Sequence, residues 1–101
     1  MAKLKKLTLK EIFDKSRELW GLESQILMLV EELNELGVAS LHLLRTNKPR
    51  DESLQSFAEE IADVEFMLDE MKYYFSNVEL IAFYRRKKQE RLEKMIAVTG
   101  G

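Results

Sequence analysis

Five carboxylates in two short runs form the strongest chemical pattern in this sequence. Glu31, Glu32 and Glu35 make the first run, and Glu60 and Asp63 the second. Residues three or four apart on a helix point the same way. Glu32 therefore shares a face with Glu35, Glu31 with Glu35, and Glu60 with Asp63. The line through Glu32 and Glu35 continues to Met28 and Ala39, and the line through Glu60 and Asp63 continues to Met67. Both pairs thus occupy a second seam beside an apolar one. If their helices pack as an antiparallel hairpin, four or five carboxylates converge from the two walls. Like charges at close range raise one another's pKa and oppose packing, so such a site calls for protonation or a divalent cation. The donors are all oxygens and the chain has one histidine. Hard cations, Mg²⁺ foremost and Mn²⁺ as well, suit that set, and zinc does not. The competing reading is a solvated acidic face, the ordinary condition of glutamates on helices.

The other half of the pattern is positive. The formal net charge is only −2, yet residues 51–70 hold eight acidic side chains and no lysine or arginine, while residues 85–94 hold six basic and two acidic ones. Lys87, Lys88 and Arg91 lie within one helical turn and make a cationic patch suited to phosphate. A solvated basic helix end, favoured by the helix dipole, accounts for the same residues. Nucleic acid is not an expected partner: the protein is net acidic, and its acidic segment repels a phosphate backbone.

Helices must position these groups. Thr8-Leu9-Lys10-Glu11 has the form of a capping box, which predicts a first helix from there to about Trp20, ended by Gly21. A second helix from near Leu22 carries Leu22, Ile26, Leu29, Leu33, Leu36 and Leu43 on one stripe. Thr46 to Asp51, with Pro49 inside, reads as a loop. A third helix carries Leu54, Phe57, Ile61, Val64, Leu68, Met71 and Phe75 at alternating spacings of three and four, a heptad seam expected to be buried. Ser76-x-x-Glu79 repeats the capping-box form, so a turn is expected at Ser76-Asn77, followed by a fourth helix to about Val98 and a frayed Thr99-Gly100-Gly101. The expectation is a single all-α domain over residues 1–101, a compact antiparallel bundle of about four helices.

Composition narrows the classes further. With 101 residues the chain has room for one modest core. The absence of cysteine excludes a disulfide framework, a zinc finger and a thiol nucleophile. The lone His42 excludes any site built on two imidazoles. No segment approaches the ~20 apolar residues of a membrane span, and Met1 to Lys10 has no apolar signal-peptide core. No membrane association and a cytoplasmic location are therefore expected. Apolar residues outside the main stripe of the second helix, among them Leu27, Val30, Val38, Leu41 and Leu44, exceed what a small monomer can hide and point to a homo-oligomer.

Glu31-Glu32-Leu33-Asn34-Glu35, a spacer, and Glu60-Ile61-Ala62-Asp63 together resemble the EExxE…ExxD signature of the all-alpha nucleoside triphosphate pyrophosphohydrolases, in their MazG-like branch. The likeness extends to Gln25 ahead of the first motif and to Lys88-Gln89-Glu90-Arg91 behind the second, and covers roughly residues 15 to 95. It implies a Mg²⁺-dependent enzyme that cuts a nucleoside triphosphate between the α and β phosphates, releasing a monophosphate and pyrophosphate. It also implies Glu32, Glu35, Glu60 and Asp63 as metal ligands, and Glu31 as the group that orients or deprotonates the attacking water. Lys88 and Arg91, with Lys87 beside them, would hold the phosphate tail. A homodimer or homotetramer follows from the same likeness. Two positions depart from the pattern: Leu92 stands where relatives often have Asn, and Asn34 where they often have Gly. Trp20 is a candidate for stacking the base, and His42, two turns beyond Glu35, could reach a base or sugar. Two alternatives remain at this level. One is a non-enzymatic helical oligomer whose charges merely pair; the other is the related phosphoribosyl-ATP pyrophosphohydrolase activity.

Overall fold

The computed structural model describes residues 6–45 and 50–100, and these are all-α, with no strand among them. The order is α1 (Leu9–Trp20), α2 (Leu22–His42), α3 (Arg50–Phe75) and α4 (Val78–Gly100). The chain divides into two units, Met1–Met71 and Lys72–Gly101. No helix among the described residues is long and apolar enough to cross a membrane.

In the first unit, α1 starts as its sequence requires. The Glu11 amide donates to Thr8 Oγ1 at 3.2 Å, and the Thr8 amide donates to Glu11 Oε1 at 3.1 Å. Both halves of the capping box are thus formed. Those bonds to the charged form, with the backbone one foremost, hold the Glu11 carboxyl below its ordinary value. Gly21 then closes one helix and opens the next. Its amide donates to the Arg17 carbonyl at 2.9 Å, and its own carbonyl accepts from the Gln25 amide at 3.2 Å. The backbone that allows this has φ 84° and ψ 156°, a region essentially restricted to glycine. Phe13, 3% exposed, is the apolar anchor of α1. Its ring meets Phe66 of α3 edge-on, with centroids 5.3 Å apart, and burying such a side chain contributes about 1.5–3 kcal/mol.

The inward faces of α2 and α3 follow the apolar stripes of the sequence only in part: Val64 and Met71 are buried as expected, and Leu29, Leu36, Phe57 and Ile61 are half-buried. On α2 the buried residues are Gln25 and Ala39, and Leu29, Glu32 and Leu36 are half-buried between them. Ile26 and Leu33 are exposed instead, at 38% and 46%. On α3 Ser53, Val64, Met67, Glu70 and Met71 are buried and Glu60 is half-buried, while Leu54, Leu68 and Phe75 of the expected seam are exposed. The inward lines are Gln25–Glu32–Ala39 and Ser53–Glu60–Met67, each spaced by seven and each one residue ahead of the stripe expected to be buried. A seven-residue step returns to nearly the same helix face, so a glutamate stands at the middle of each line.

Three boundaries also differ from expectation. Arg50 and Asp51 belong to α3, whereas the rest of the expected loop, residues 46–49, lies outside the described residues. In the second unit the turn falls at Ser76-Asn77 as expected, but Ser76 does not cap α4. It takes a left-handed φ of 49°, and its amide donates to the Lys72 carbonyl at 2.9 Å, closing α3. The first α4 bond runs from the Ile81 amide to the Asn77 carbonyl at 3.0 Å. Helix α4 continues to Gly100 rather than fraying at Thr99. None of its side chains is buried.

Candidate metal centre

Helices α2 and α3 run antiparallel across the acidic residues. The higher α2 numbers pair with the lower α3 numbers: Asp63 acts on Glu32, Glu35 adjoins Glu60, and Ala39 and His42 share a cavity with Ser56. That register brings the two central glutamates of the inward lines together. One carboxylate oxygen from each of Glu32, Glu60 and Asp63 lies within 4.8 Å of the others. Asp63 is exposed, and the two glutamates are half-buried. The Glu35 carboxylate is near enough for its charge to act on both glutamates. Glu31 is exposed and contributes its charge to Glu32.

The electrostatics follow from that placement. Loss of water raises the Glu32 carboxyl above its ordinary value, and the charges of Glu35, Asp63 and Glu31 push the same way. Glu60 is raised by the same two effects, burial first and then Glu35, Asp63 and Glu32. Among the described residues, no lysine or arginine is one of the groups acting on either. The Oε2 atoms of Glu32 and Glu60 are buried and accept no hydrogen bond. Buried polar atoms without partners are uncommon and costly. A cation placed among these oxygens satisfies both atoms and offsets the repulsion. The donor set is carboxylate oxygen throughout, which fits Mg²⁺ or Mn²⁺ and fits soft metals poorly.

Comparison with models of known protein families, with curated proteins and with solved structures found no match. The site therefore stands on its own geometry.

The structure brings Glu32, Glu60 and Asp63 into one cluster, with the charges of Glu35 and Glu31 acting on it. Trp20, at the end of α1, is 60% exposed. Lys87, Lys88 and Arg91 are exposed on α4 in the second unit. There Lys87 Nζ lies 3.8 Å from Glu90 Oε2 and 5.5 Å from the centre of the Phe83 ring. Lys88 lines a shallow groove with Arg85, Gln89 and Leu92.

Beside the cluster, a cavity of about 350 Å³ opens between α2 and α3. Glu35 and Glu60 form the wall it shares with the acidic site, and Asn34, Val38, Ala39, His42 and Ser56 complete it. The sequence reading did not single out Ser56 or the burial of Gln25, whose Nε2 donates to Met28 Sδ at 3.6 Å. A signal for the burial of Gln25 was present. Gln25 and Ser53 hold the same seven-residue phase as Glu32 and Glu60, and polar residues recurring in one phase mark a face with a polar task.

Proposed function

We propose that this protein is a nucleoside triphosphate pyrophosphohydrolase that recruits its substrate through Mg²⁺, or Mn²⁺, held by Glu32, Glu60 and Asp63 with Glu35 beside them. The observation that carries the reading is the convergence of three carboxylate oxygens within 4.8 Å, two of whose residues keep buried, unpartnered oxygens. A solvated acidic face would let these side chains spread apart into water; here two helices aim them at one point. The likeness of the two motifs to the MazG-like pyrophosphohydrolases supports the same reading and supplies the reaction.

When bound, a divalent cation supplies Lewis-acid polarisation of the phosphoryl oxygens and offsets charge developing on pyrophosphate. The protein's own part is positioning and proton transfer. Glu31, exposed and next in sequence to a ligand, accepts a proton from the water that attacks the α-phosphorus. The bridging P–O bond between the α and β phosphates breaks, and pyrophosphate leaves with the electron pair. Little further covalent chemistry is required of the protein in phosphoryl transfer. The phosphate-tail role of Lys87, Lys88 and Arg91 rests on the resemblance alone. It is tested by the Lys88→Ala and Arg91→Ala variants, which should raise KM with Mn²⁺ binding unchanged.

A homo-oligomer belongs to this reading. One face of α2 carries Ile26, Val30, Leu33 and Leu41, all exposed, and Leu44, just past the end of the helix, is exposed as well at 79%. A Cβ built on Gly37, on the same face, meets nothing within 4 Å. An exposed apolar helix face with a glycine near its middle suits close approach by another helix.

The deciding experiment is pyrophosphate release from the common ribo- and deoxyribonucleoside triphosphates with Mg²⁺ or Mn²⁺. Release by the natural sequence, and its loss in Glu32→Gln with helical content retained by circular dichroism, is the expected result. No release from any triphosphate with either metal would overturn the reading.

A further inference from the structure

From the cavity that shares Glu35 and Glu60 with the acidic cluster, we infer that the nucleoside half of the substrate sits between α2 and α3 against Asn34, Val38, His42 and Ser56. The inference rests on the metal reading above and adds where the base and sugar go. The cavity measures about 350 Å³, at the small end of the ~300–1,000 Å³ typical of small-molecule sites. Among the described residues its lining contains no lysine or arginine. Those residues offer a triphosphate tail no lysine or arginine, and Glu35 and Glu60 place two carboxylates against it. A neutral heterocycle with an attached sugar meets the opposite conditions.

Val38 and Ala39 give an apolar wall on α2, and Asn34, His42 and Ser56 place amide, imidazole and hydroxyl groups around it. A planar, mostly apolar body with polar edges is what such a lining takes. The position is also right for a substrate whose phosphates approach the cation. Glu35 and Glu60 face both spaces, so a ligand in the cavity touches the residues that border the metal oxygens. Trp20, the aromatic residue favoured by sequence, does not line this cavity. Specificity is assigned instead to Asn34, His42 and Ser56, whose hydrogen-bonding groups can distinguish base edges. A site built to hydrogen-bond a substrate group rejects analogues that lack it far more strongly than an apolar pocket does.

The test uses the full chain and three probes: Mn²⁺ alone, inorganic tripolyphosphate with Mg²⁺, and a panel of nucleoside triphosphates with Mg²⁺. Mn²⁺ is followed by the loss of its free paramagnetic signal and the others by calorimetry. Two variants are compared. His42→Ala removes a polar contact, and Val38→Trp fills the cavity from an exposed position that should not disturb folding. Both are expected to weaken nucleotide binding by roughly tenfold or more and to alter the ranking among bases, with Mn²⁺ and tripolyphosphate binding unchanged. Unaltered nucleotide affinity and ranking, with Mn²⁺ still bound, would overturn the inference and leave the metal reading standing. Equal weakening of tripolyphosphate would overturn it as well, because the cavity would then hold phosphate. If the natural sequence binds no Mn²⁺, both readings fall together.

Discussion

Replacing Asp63 with asparagine should make the metal-free protein more stable and the metal-loaded protein less so. The size of the first effect follows from the cluster. Asp63 and Glu32 present oxygens within 4.8 Å of each other, and two unit charges at that separation repel by about 0.9 kcal/mol in a water-like dielectric. Physiological salt, with a Debye length near 8 Å, reduces this to about 0.5 kcal/mol. Relief of repulsion with Glu60 acts in the same direction. For a domain of this size the Glu32 pair alone corresponds to a rise of about 2–4 °C in the melting temperature. With free Mg²⁺ at a hundredfold excess over its Kd, the natural sequence gains about 2.7 kcal/mol, a shift of roughly 10 °C or more. Asparagine lacks the charge that the cation needs, so most of that gain should vanish. Thermal melts followed by circular dichroism, in EDTA and in excess Mg²⁺, should therefore cross: the variant melts higher in EDTA and lower in Mg²⁺. A variant that melts below the natural sequence in EDTA, or gains as much from Mg²⁺, would refute the placement of Asp63 among repelling ligands.

Three other outcomes follow from the same geometry. Glu32 and Glu60 have raised carboxyls in the folded state. Their favourable contribution to metal-free stability is fully present below the ordinary value of 4.5 and is lost as pH rises through the raised values. Glu11 runs the other way, because its carboxyl is lowered. The informative quantity is thus the difference in denaturation midpoint between the natural sequence and Glu32→Gln in EDTA, which should widen in the variant's favour as pH rises; a constant difference would contradict the assignment. Gly21→Ala should cost about 1–3 kcal/mol in urea denaturation, although an added Cβ meets nothing within 4 Å; an unchanged midpoint would show that the backbone relaxes freely. Leu33→Glu, on the exposed face of α2, should lower the mass measured by sedimentation while leaving Mn²⁺ binding in place, and an unchanged mass would remove that face from the subunit contact.

Much of this architecture is legible in the sequence because short-range rules govern it. Thr8 and Glu11 cap each other wherever the chain goes next, and Gly21 is the one residue type that accepts the corner between α1 and α2. The carboxylate cluster was legible for the same reason, since residues three apart share a face before any packing is known. What escaped was part of the inward face: Val64 and Met71 of the expected seam are buried, but Leu54, Leu68 and Phe75 are not. On α2 and α3, Ile26, Leu33, Leu54, Ile61 and Leu68, each one residue beyond Gln25, Glu32, Ser53, Glu60 and Met67, form apolar stripes as regular as a core. Periodicity identifies such a stripe but does not say what covers it. Here the inward lines are those that carry Glu32 and Glu60, and the leucine stripes are left partly in water. Ser76 shows the same limit on a smaller scale: the Ser-x-x-Glu spacing fits a cap, but a left-handed turn had to end α3 first.

The faces of α2 also set how far this sequence can drift. One line turns Gln25, Glu32 and Ala39 inward, a second borders the cavity with Asn34, Glu35 and Val38, and a third is apolar and turned outward. Three tasks on a 21-residue helix leave few positions where a substitution is silent. Helix α4, with no buried side chain, lacks that packing constraint. A saturation scan should therefore find α2 the least permissive segment, intolerant of charge on one face and of bulk on the next. New specificities would then arise more readily by exchanging Asn34, His42 or Ser56 at the cavity than by altering the helix that bears most of them.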